Sequence, residues 1–313
     1  MAKFYEDVYN KQNKEWFLST IDLSKYPSRW WERVFEKTYL FEKSKDKDLY
    51  NFTVPEILEF YKYLDVPTLT PLVVYNTNLV KYAQWALNEN LVTDNQNHFN
   101  NIDNEILLTC VNILKINQSI ILYDDFMNII NTRIANEQDR YIFMCMFEGI
   151  QGKDFEEIVN LKMTDIDEKN NTVRLCTGRE MCVLKEFPLI ARAADAQTTY
   201  LGLTDKEREI KLIPNSTIYK EKSNSRGKQL GRGIYRTITR NINTVNGLNY
   251  MVNSKSIKIS GMIYYINRRA DKLGISVEEL LYSLDNCQDI LDKYQFNIVY
   301  RRRLLQSYKE YLH

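Results

Sequence analysis

The chain is a succession of short apolar patterns of helical period, several of them announced by a helix-start signal. Thr53-Val-Pro-Glu56 has the spacing of a capping box, with Pro55 inside the first turn. Apolar residues from Ile57 to Tyr63 follow at helical spacing. Thr70-Pro71 opens a longer helix, because proline is pre-set for the first helical position. Its apolar set includes Val73, Val74, Leu79, Val80, Tyr82, Ala83 and Leu87, and its polar face offers Tyr75, Asn76, Asn78, Lys81 and Gln84. Beyond an Asn-rich loop, Ile106, Leu107, Val111 and Leu114 predict a third helix. Upstream, Trp16, Phe17, Trp30, Trp31, Val34 and Phe35 predict one or two helices packed on the body, or an interaction arm. Residues 1–117 read as a small helical domain.

The second half, 118–313, mixes in extended chain. Helical patterns at 123–133 and 137–149 and a short helix from Lys153 to Leu161 come first. Asn170-Asn171 then sits between Asp165-Ile-Asp167 and Thr172-Val-Arg-Leu175, which predicts a turn into a strand. A second strand is expected from Cys182 to Phe187, stopped by Pro188, and another from Leu212 to Tyr219. Helices return at 231–244, 260–273, 276–284, 286–293 and 298–311, and Ser276-Val-Glu-Glu279 is another capping box. The fold class is mostly α with a small antiparallel β-sheet. Ten Gly and six Pro in 313 residues argue against a turn-rich β-sandwich.

Charge is segregated. Lys220 to His313 holds 17 Lys and Arg against 8 Asp and Glu, an excess of +9, so the remaining 25 cations and 33 acids leave −8. The chain's net +1 therefore hides a basic C-terminal third. No acid interrupts Lys222 to Arg240, and Arg232, Arg236 and Arg240 stand at i, i+4 and i+8, on one helix face. Like charges so placed repel, and a polyanion along the face would offset that cost. Arg226 and Lys228 extend the run, and all five would neutralise phosphates.

Other chemistries find little support. Cys110, Cys145, Cys176, Cys182 and Cys287 make no C-x-x-C pair and read as reduced core thiols. With two His and no Gly-rich phosphate loop, no metal site and no cofactor are expected. No apolar run is long enough for a bilayer, and the Met1-Ala-Lys-Phe start lacks a signal-type segment. A cytoplasmic protein with no membrane partner is expected.

One stretch carries a more specific signal. Phe147-Glu-Gly-Ile-Gln-Gly-Lys-Asp-Phe-Glu-Glu-Ile-Val-Asn-Leu-Lys-Met-Thr-Asp-Ile-Asp167 resembles the box around the first catalytic arginine of the tyrosine recombinase (phage integrase) family. Phe52 to Tyr61 and Tyr75 to Trp85 resemble that family's core-binding domain, so the similarity spans about residues 50–313. The resemblance implies a helical core-binding domain followed by a catalytic-fold domain, acting on double-stranded DNA. Family members use two Arg, a Lys and His-type residues to stabilise charge while a Tyr attacks the phosphodiester.

That catalytic set does not carry over. Asp154 stands where the first Arg should be, with Lys153 displaced by one. Ser260 and Ile263 occupy the His-x-x-Arg positions, and Lys293-Tyr-Gln-Phe296 fills the Leu-Gly-His region. Tyr308 and Tyr311 are the two candidates for a relic nucleophile, and Arg179 and Lys185 for the sheet lysine. The resemblance thus narrows to a catalytically degenerate member, similar to the master repressors of SPbeta-like prophages. The expected function is sequence-specific binding to operator DNA without strand cleavage, maintaining lysogeny. Candidate contacts are Tyr75, Asn76, Asn78, Lys81 and Gln84 in the major groove, since Asn and Gln pair bidentately with adenine. Arg179, Lys255, Lys258 and the basic run join them on phosphates. Two alternatives remain: a divergent active recombinase, or a protein-interaction module on the same fold. Also open are a regulatory protein partner and self-association through the amphipathic helix from Tyr300 to Leu312, whose other reading is packing in cis.

Overall fold

The computed structural model describes residues 7–21, 28–202, 208–223, 230–243, 251–297, 299 and 301–313. The chain divides into two compact units, Met1–Leu114 and Lys115–His313.

The first unit is built from α1 (Lys11–Thr20), α2 (Ser28–Lys45), α3 (Val54–Tyr63), α4 (Leu69–Asn88) and α5 (Asn104–Leu108). The capping box that opens α3 forms: the Thr53 amide donates to Glu56 Oε2 at 2.9 Å. α4 starts just ahead of Thr70-Pro71, with Thr68 as its cap residue. The aromatic residues near the N-terminus are core. Phe17 meets Trp31, Phe35, Tyr82 and Trp85 within 6.3 Å between ring centroids, and so joins α1, α2 and α4. The expected third helix is interrupted. Its second piece, α6 (Ile113–Ser119), begins after Asn112, whose amide donates to Val66 O and whose side chain donates to Asp65 Oδ1. Those bonds to the chain after α3 hold Asn112 outside either helix.

In the second unit, α7 (Tyr123–Thr132) leads into α8 (Glu137–Phe147), which is buried along its whole length from Tyr141. A broken turn and α9 (Glu156–Asn160) follow. Then come β1 (Ile166–Asp167), β2 (Thr172–Arg174) and β3 (Glu180–Cys182), an antiparallel sheet of order β1-β2-β3. Ile166, Val173 and Met181 lie in register and all face the core, as alternation requires. The Asn170-Asn171 turn forms, with Asn171 at φ 52°.

Pro188 corrects the reading of the next segment. The strand does not run to Phe187; it ends at Cys182, and Phe187 opens α10 (Phe187–Ala196) with Pro188 in its first turn. Proline starts this helix rather than stopping a strand, and Phe187, Pro188, Ala191 and Ala194 make its buried face. β4 (Thr199–Leu201) pairs antiparallel with β5 (Glu209–Lys211) as a second small sheet. The strand expected from Leu212 to Tyr219 reduces to one bridge, Leu212 to Lys222. The rest is α11 (Leu230–Ile238), α12 (Ser254–Leu273), α13 (Val277–Tyr282), α14 (Leu284–Lys293) and α15 (Arg301–Tyr308). Ser276 caps α13 as its capping box predicts. The architecture is mostly helical with two small antiparallel sheets.

α8 is the hub, packed by α10 on one side and α12 on another. α12 crosses so closely that a Cβ on Gly261 would lie 1.8 Å from Phe147 O. Among the described residues, no helix is long and apolar enough to cross a membrane. Three cysteines, Cys110, Cys145 and Cys287, are buried free thiols as expected, but Cys176 and Cys182 on the β2–β3 hairpin are exposed.

Candidate nucleic-acid interface

The basic helix has two unlike faces. Ile234, Ile238 and Ile242 are buried, while Arg232, Tyr235, Arg236 and Arg240 are exposed. Residues eight apart in a regular helix are rotated by about 80°. A widened π-type turn over Thr239–Asn243 follows α11, and Ile242 remains fully buried within it. Asn243 closes the segment, its side-chain amide exchanging two hydrogen bonds with the Val252 backbone. The apolar ridge thus seats the helix and leaves its arginines outward. Arg226 and Lys228 lie outside the described residues.

Lys222, at the head of the basic run, does not point outward. Its Nζ sits 3.3 Å from the centroid of the Tyr200 ring. Burial pushes its ammonium pKa down, against the attraction of Asp139. Asp139 is buried and accepts from Tyr200 Oη at 2.7 Å, and burial lifts its carboxyl to about 6. Lys222 is an anchor of this segment.

α4 carries an outward stripe of Thr70, Val74, Thr77, Lys81, Gln84 and Asn88, spaced alternately four and three apart. Lys81 and Gln84 were expected there, and Tyr75 and Asn78 flank it half-buried. Asn78 Nδ2 donates back to Val74 O, and Tyr75 rests 5.8 Å from Trp30. Asn76 departs from the expectation. It is buried, accepts from Tyr61 Oη at 2.8 Å, and donates to Ile102 O. An Asn on an otherwise apolar helix face was read as surface, but it satisfies a buried phenol and a loop carbonyl. Val73 and Val74 likewise face outward or half-outward rather than into the core.

Where the resemblance places phosphodiester chemistry, the structure shows two ion pairs built on buried carboxylates. Arg179, from the β2–β3 turn, forks onto Glu157 of α9: Nε to Oε1 at 2.9 Å and Nη2 to Oε2 at 2.6 Å. Its remaining donors reach Lys293 O and Gly149 O at 2.9 and 3.2 Å. Thr177 and the Gln151 amide also donate to Glu157. Burial raises the Glu157 carboxyl, but these bonds outweigh it and hold the pKa below the ordinary carboxylate value.

The second pair joins Lys293 and Glu148 at 2.5 Å. Lys293 Nζ also donates to Cys182 O, and Glu148 accepts from Tyr265 Oη and the Leu184 amide. Burial lowers the lysine's pKa, while Glu148 raises it. These bonds tie α8, α12, α14 and the sheet together. Lys258 lies beside Arg179 and Glu157; burial, then repulsion by Arg179, lowers its pKa, and it is only part-exposed. Lys255, one turn earlier, is exposed, as are Lys153 and Lys185.

The degenerate positions have structural work. Ser260 is buried; its Oγ accepts from the Ile121 amide and donates to Ser256 O. Ile263 is core. Asp154 is exposed at φ 52°, and Phe155 follows at φ 64°, so the expected helix from Lys153 is broken and only Glu156–Asn160 is regular. Two consecutive non-glycine residues in the left-handed region are a strained arrangement. Tyr308 is buried, which pushes its phenol up to about 12. Tyr311 Oη donates to Asn117 Oδ1, and its carbonyl accepts from Asn267. On α15 itself, Leu304 and Tyr308 are buried.

The family model for the MrpR N-terminal core-binding domain matches residues 8–88, and that for the MrpR C-terminal catalytic domain matches residues 120–312. The chain belongs to the MrpR family. It is also similar to the SPbeta prophage-derived uncharacterized protein YopR of Bacillus subtilis (strain 168), with 23% identity over 97% of this chain and 94% of that one. The mostly helical layout, with its small sheet beside a buried hub helix, is the tyrosine-recombinase-like fold of this family.

Within that MrpR frame, sequence reasoning missed Glu148 and Lys293 as partners. They are 145 positions apart, and a lone Glu and a lone Lys carry no signal of mutual burial. Glu157 could have been found. It follows Asp154 by three in a motif already aligned, and an acid on the inner face of a short helix requires a cation.

Proposed function

We propose that this chain is a non-catalytic, sequence-specific double-stranded DNA-binding protein of prophage origin that represses transcription and so maintains lysogeny. One observation carries the reading: the cations divide into two sets. Arg179 and Lys293, in the catalytic-type region, are each consumed by a buried carboxylate and by backbone carbonyls. Arg232 and Arg236 stand outward on an apolar ridge. A guanidinium whose donors are spent internally has none left for the nonbridging oxygens of a scissile phosphate, and one such donor is typically worth 10²–10³ in rate. Outward arginines keep theirs for the DNA backbone. Lys81 and Gln84 on α4 supply groove contacts in this reading, with Val74 and Thr77 beside them to meet thymine methyls. The protein acts in the cytoplasm of the host cell, where a regulatory protein would relieve repression.

The test is retention of fragments of the source genome at roughly 150 mM salt, a level that screens weak nonspecific contacts, followed by sequencing of what stays bound. Several sites sharing one short element near promoters is the expected result. In parallel, nicked duplexes are assayed for a covalent phosphotyrosine adduct, and none is expected. An adduct lost in Tyr308→Phe or Tyr311→Phe would show strand cleavage and overturn the non-catalytic reading. No enrichment of any fragment would overturn DNA binding and turn the search to a protein partner.

A further inference from the structure

The first unit buries a charge cluster that the proposed function does not use. Lys14 of α1 and Glu42 of α2 are fully buried, and Asp48, in the turn after α2, is nearly so. Lys14 Nζ lies 2.6 Å from Glu42 Oε1 and 3.6 Å from Asp48 Oδ2. It also donates to Tyr9 O at 2.7 Å, and the Phe35 ring lies 5.3 Å away. Glu42 accepts from Thr38 Oγ1 and the Leu49 amide. Asp48 Oδ1 accepts from Tyr82 Oη of α4 at 3.0 Å, while Oδ2 is buried with no hydrogen-bond partner.

Two carboxylates thus face one ammonium away from water. With both ionised, the cluster keeps an uncompensated buried negative charge, the most costly kind of burial. One added proton balances it. Asp48 Oδ2, which accepts no hydrogen bond and has Lys14 only at 3.6 Å, points the same way, since a neutral acid loses less than an anion when an oxygen goes without a donor.

We propose that Lys14, Glu42 and Asp48 form a proton-holding latch that fastens α1 to the first unit, closed when the two acids share one proton and loosened when that proton leaves. The geometry makes α1 the moving part. Lys14 is α1's buried cation, and the acids belong to α2 and the turn behind it. α1 is also held by aromatic contacts, Phe17 in its cage and Trp16 edge-on to Trp85 at 5.1 Å, and by Asn13 Nδ2 donating to Tyr50 Oη at 3.0 Å. The remaining groups around the cluster keep their charge state near neutrality. Burial pushes Tyr50 up to about 12, Tyr82 well above its ordinary value, and Tyr9 upward with help from Asp46. Lys45 and Lys47 pair outward with Glu59 and Glu56.

The direction is fixed by linkage. Burial raises both acids, Glu42 to about 7, so the closed state holds a proton that the open state releases. Closure is favoured at low pH and weakens about tenfold per unit for one proton as pH rises from the ordinary Glu value of 4.5 to about 7, above which the loss is complete. The effect concerns α1 alone and stands whether or not the chain binds DNA.

The experiment is amide hydrogen exchange on the full chain from pH 5 to 8.5, read as protection factors for residues 8–21 against α8 as internal reference. Wild type is expected to lose protection in α1 about tenfold per unit between pH 5 and 7 and to level off above that, with α8 steady. Trp16 and Trp85 fluorescence should change over the same range. Glu42→Gln leaves one ammonium with one carboxylate and should flatten the profile; Asp48→Asn should do the same and serves if the first variant does not fold. A flat wild-type profile would overturn the latch. So would an unchanged slope in the variants, or loss of α8 protection in step with α1.

Discussion

The two units bury charge by opposite rules. In the second, each cation meets one acid: Arg179 with Glu157, Lys293 with Glu148. In the first, Lys14 is shared by Glu42 and Asp48. Balanced pairs are cross-links that leave no surplus charge buried. An unbalanced cluster stores a titration inside the core. One substitution, Glu to Gln, therefore has opposite consequences in the two places.

The largest effect is expected from Glu148→Gln. It leaves Lys293 buried opposite a neutral amide, and breaking one partner of a buried pair costs about 3–5 kcal/mol. Urea unfolding at pH 8 should show this loss. Glu42→Gln at the same pH removes the surplus charge and should stabilise by about 1 kcal/mol. If both variants lose stability equally, the distinction between balanced and unbalanced burial fails.

The pH profile sharpens the same contrast at the next level, with changes on the order of 2 kcal/mol. Glu157 has a lowered folded pKa, so its contribution is present above the ordinary Glu value of 4.5 and lost as pH falls below it. Glu42 has a raised one, so its contribution is present below 4.5 and lost as pH rises through about 7. α9 should lose protection as pH falls below 4.5, and α1 as pH rises from 4.5 to about 7. Hydrogen exchange at pH 3.5, 5 and 8 would separate them; loss of α1 protection on going from pH 5 to 3.5, or of α9 protection from pH 5 to 8, would contradict the assignment.

Much of the fold was legible in local signals. The capping boxes at Thr53 and Ser276 and the Asn170-Asn171 turn are local chemistry, and all formed where the spacing put them. Pro188 was ambiguous because proline both ends strands and begins helices, and only the following buried Ala191 and Ala194 decide. The break at Asn112 depends on Val66 and Asp65, far back in the chain, and no local pattern reports it. The candidate site divides in the same way. The spacing of Arg232, Arg236 and Arg240 put them on a helix, and the outward face is there. Asn76 was misjudged because polarity alone was read as exposure, whereas Tyr61 draws it inward.

The smallest effect on stability, and the one closest to function, is expected from Arg232→Ala with Arg236→Ala. Both side chains are exposed, so the double variant should unfold within about 0.5 kcal/mol of wild type. Removing like charges one turn apart even relieves some repulsion. If these arginines neutralise phosphates, the slope of log affinity against log salt should shrink by about two, one per lost contact. The loss should be uniform across sequences, because phosphate contacts position without reading bases. Gln84→Ala on the α4 stripe should instead relax preference at one base pair and leave the salt slope alone. Part-buried Arg179, whose donors are spent internally, gives the control. Arg179→Met should cost stability, through the stranded Glu157, and leave the salt slope where it was. A salt slope that falls for Arg179→Met and holds for the α11 pair would reverse the division of the cations on which the functional reading rests.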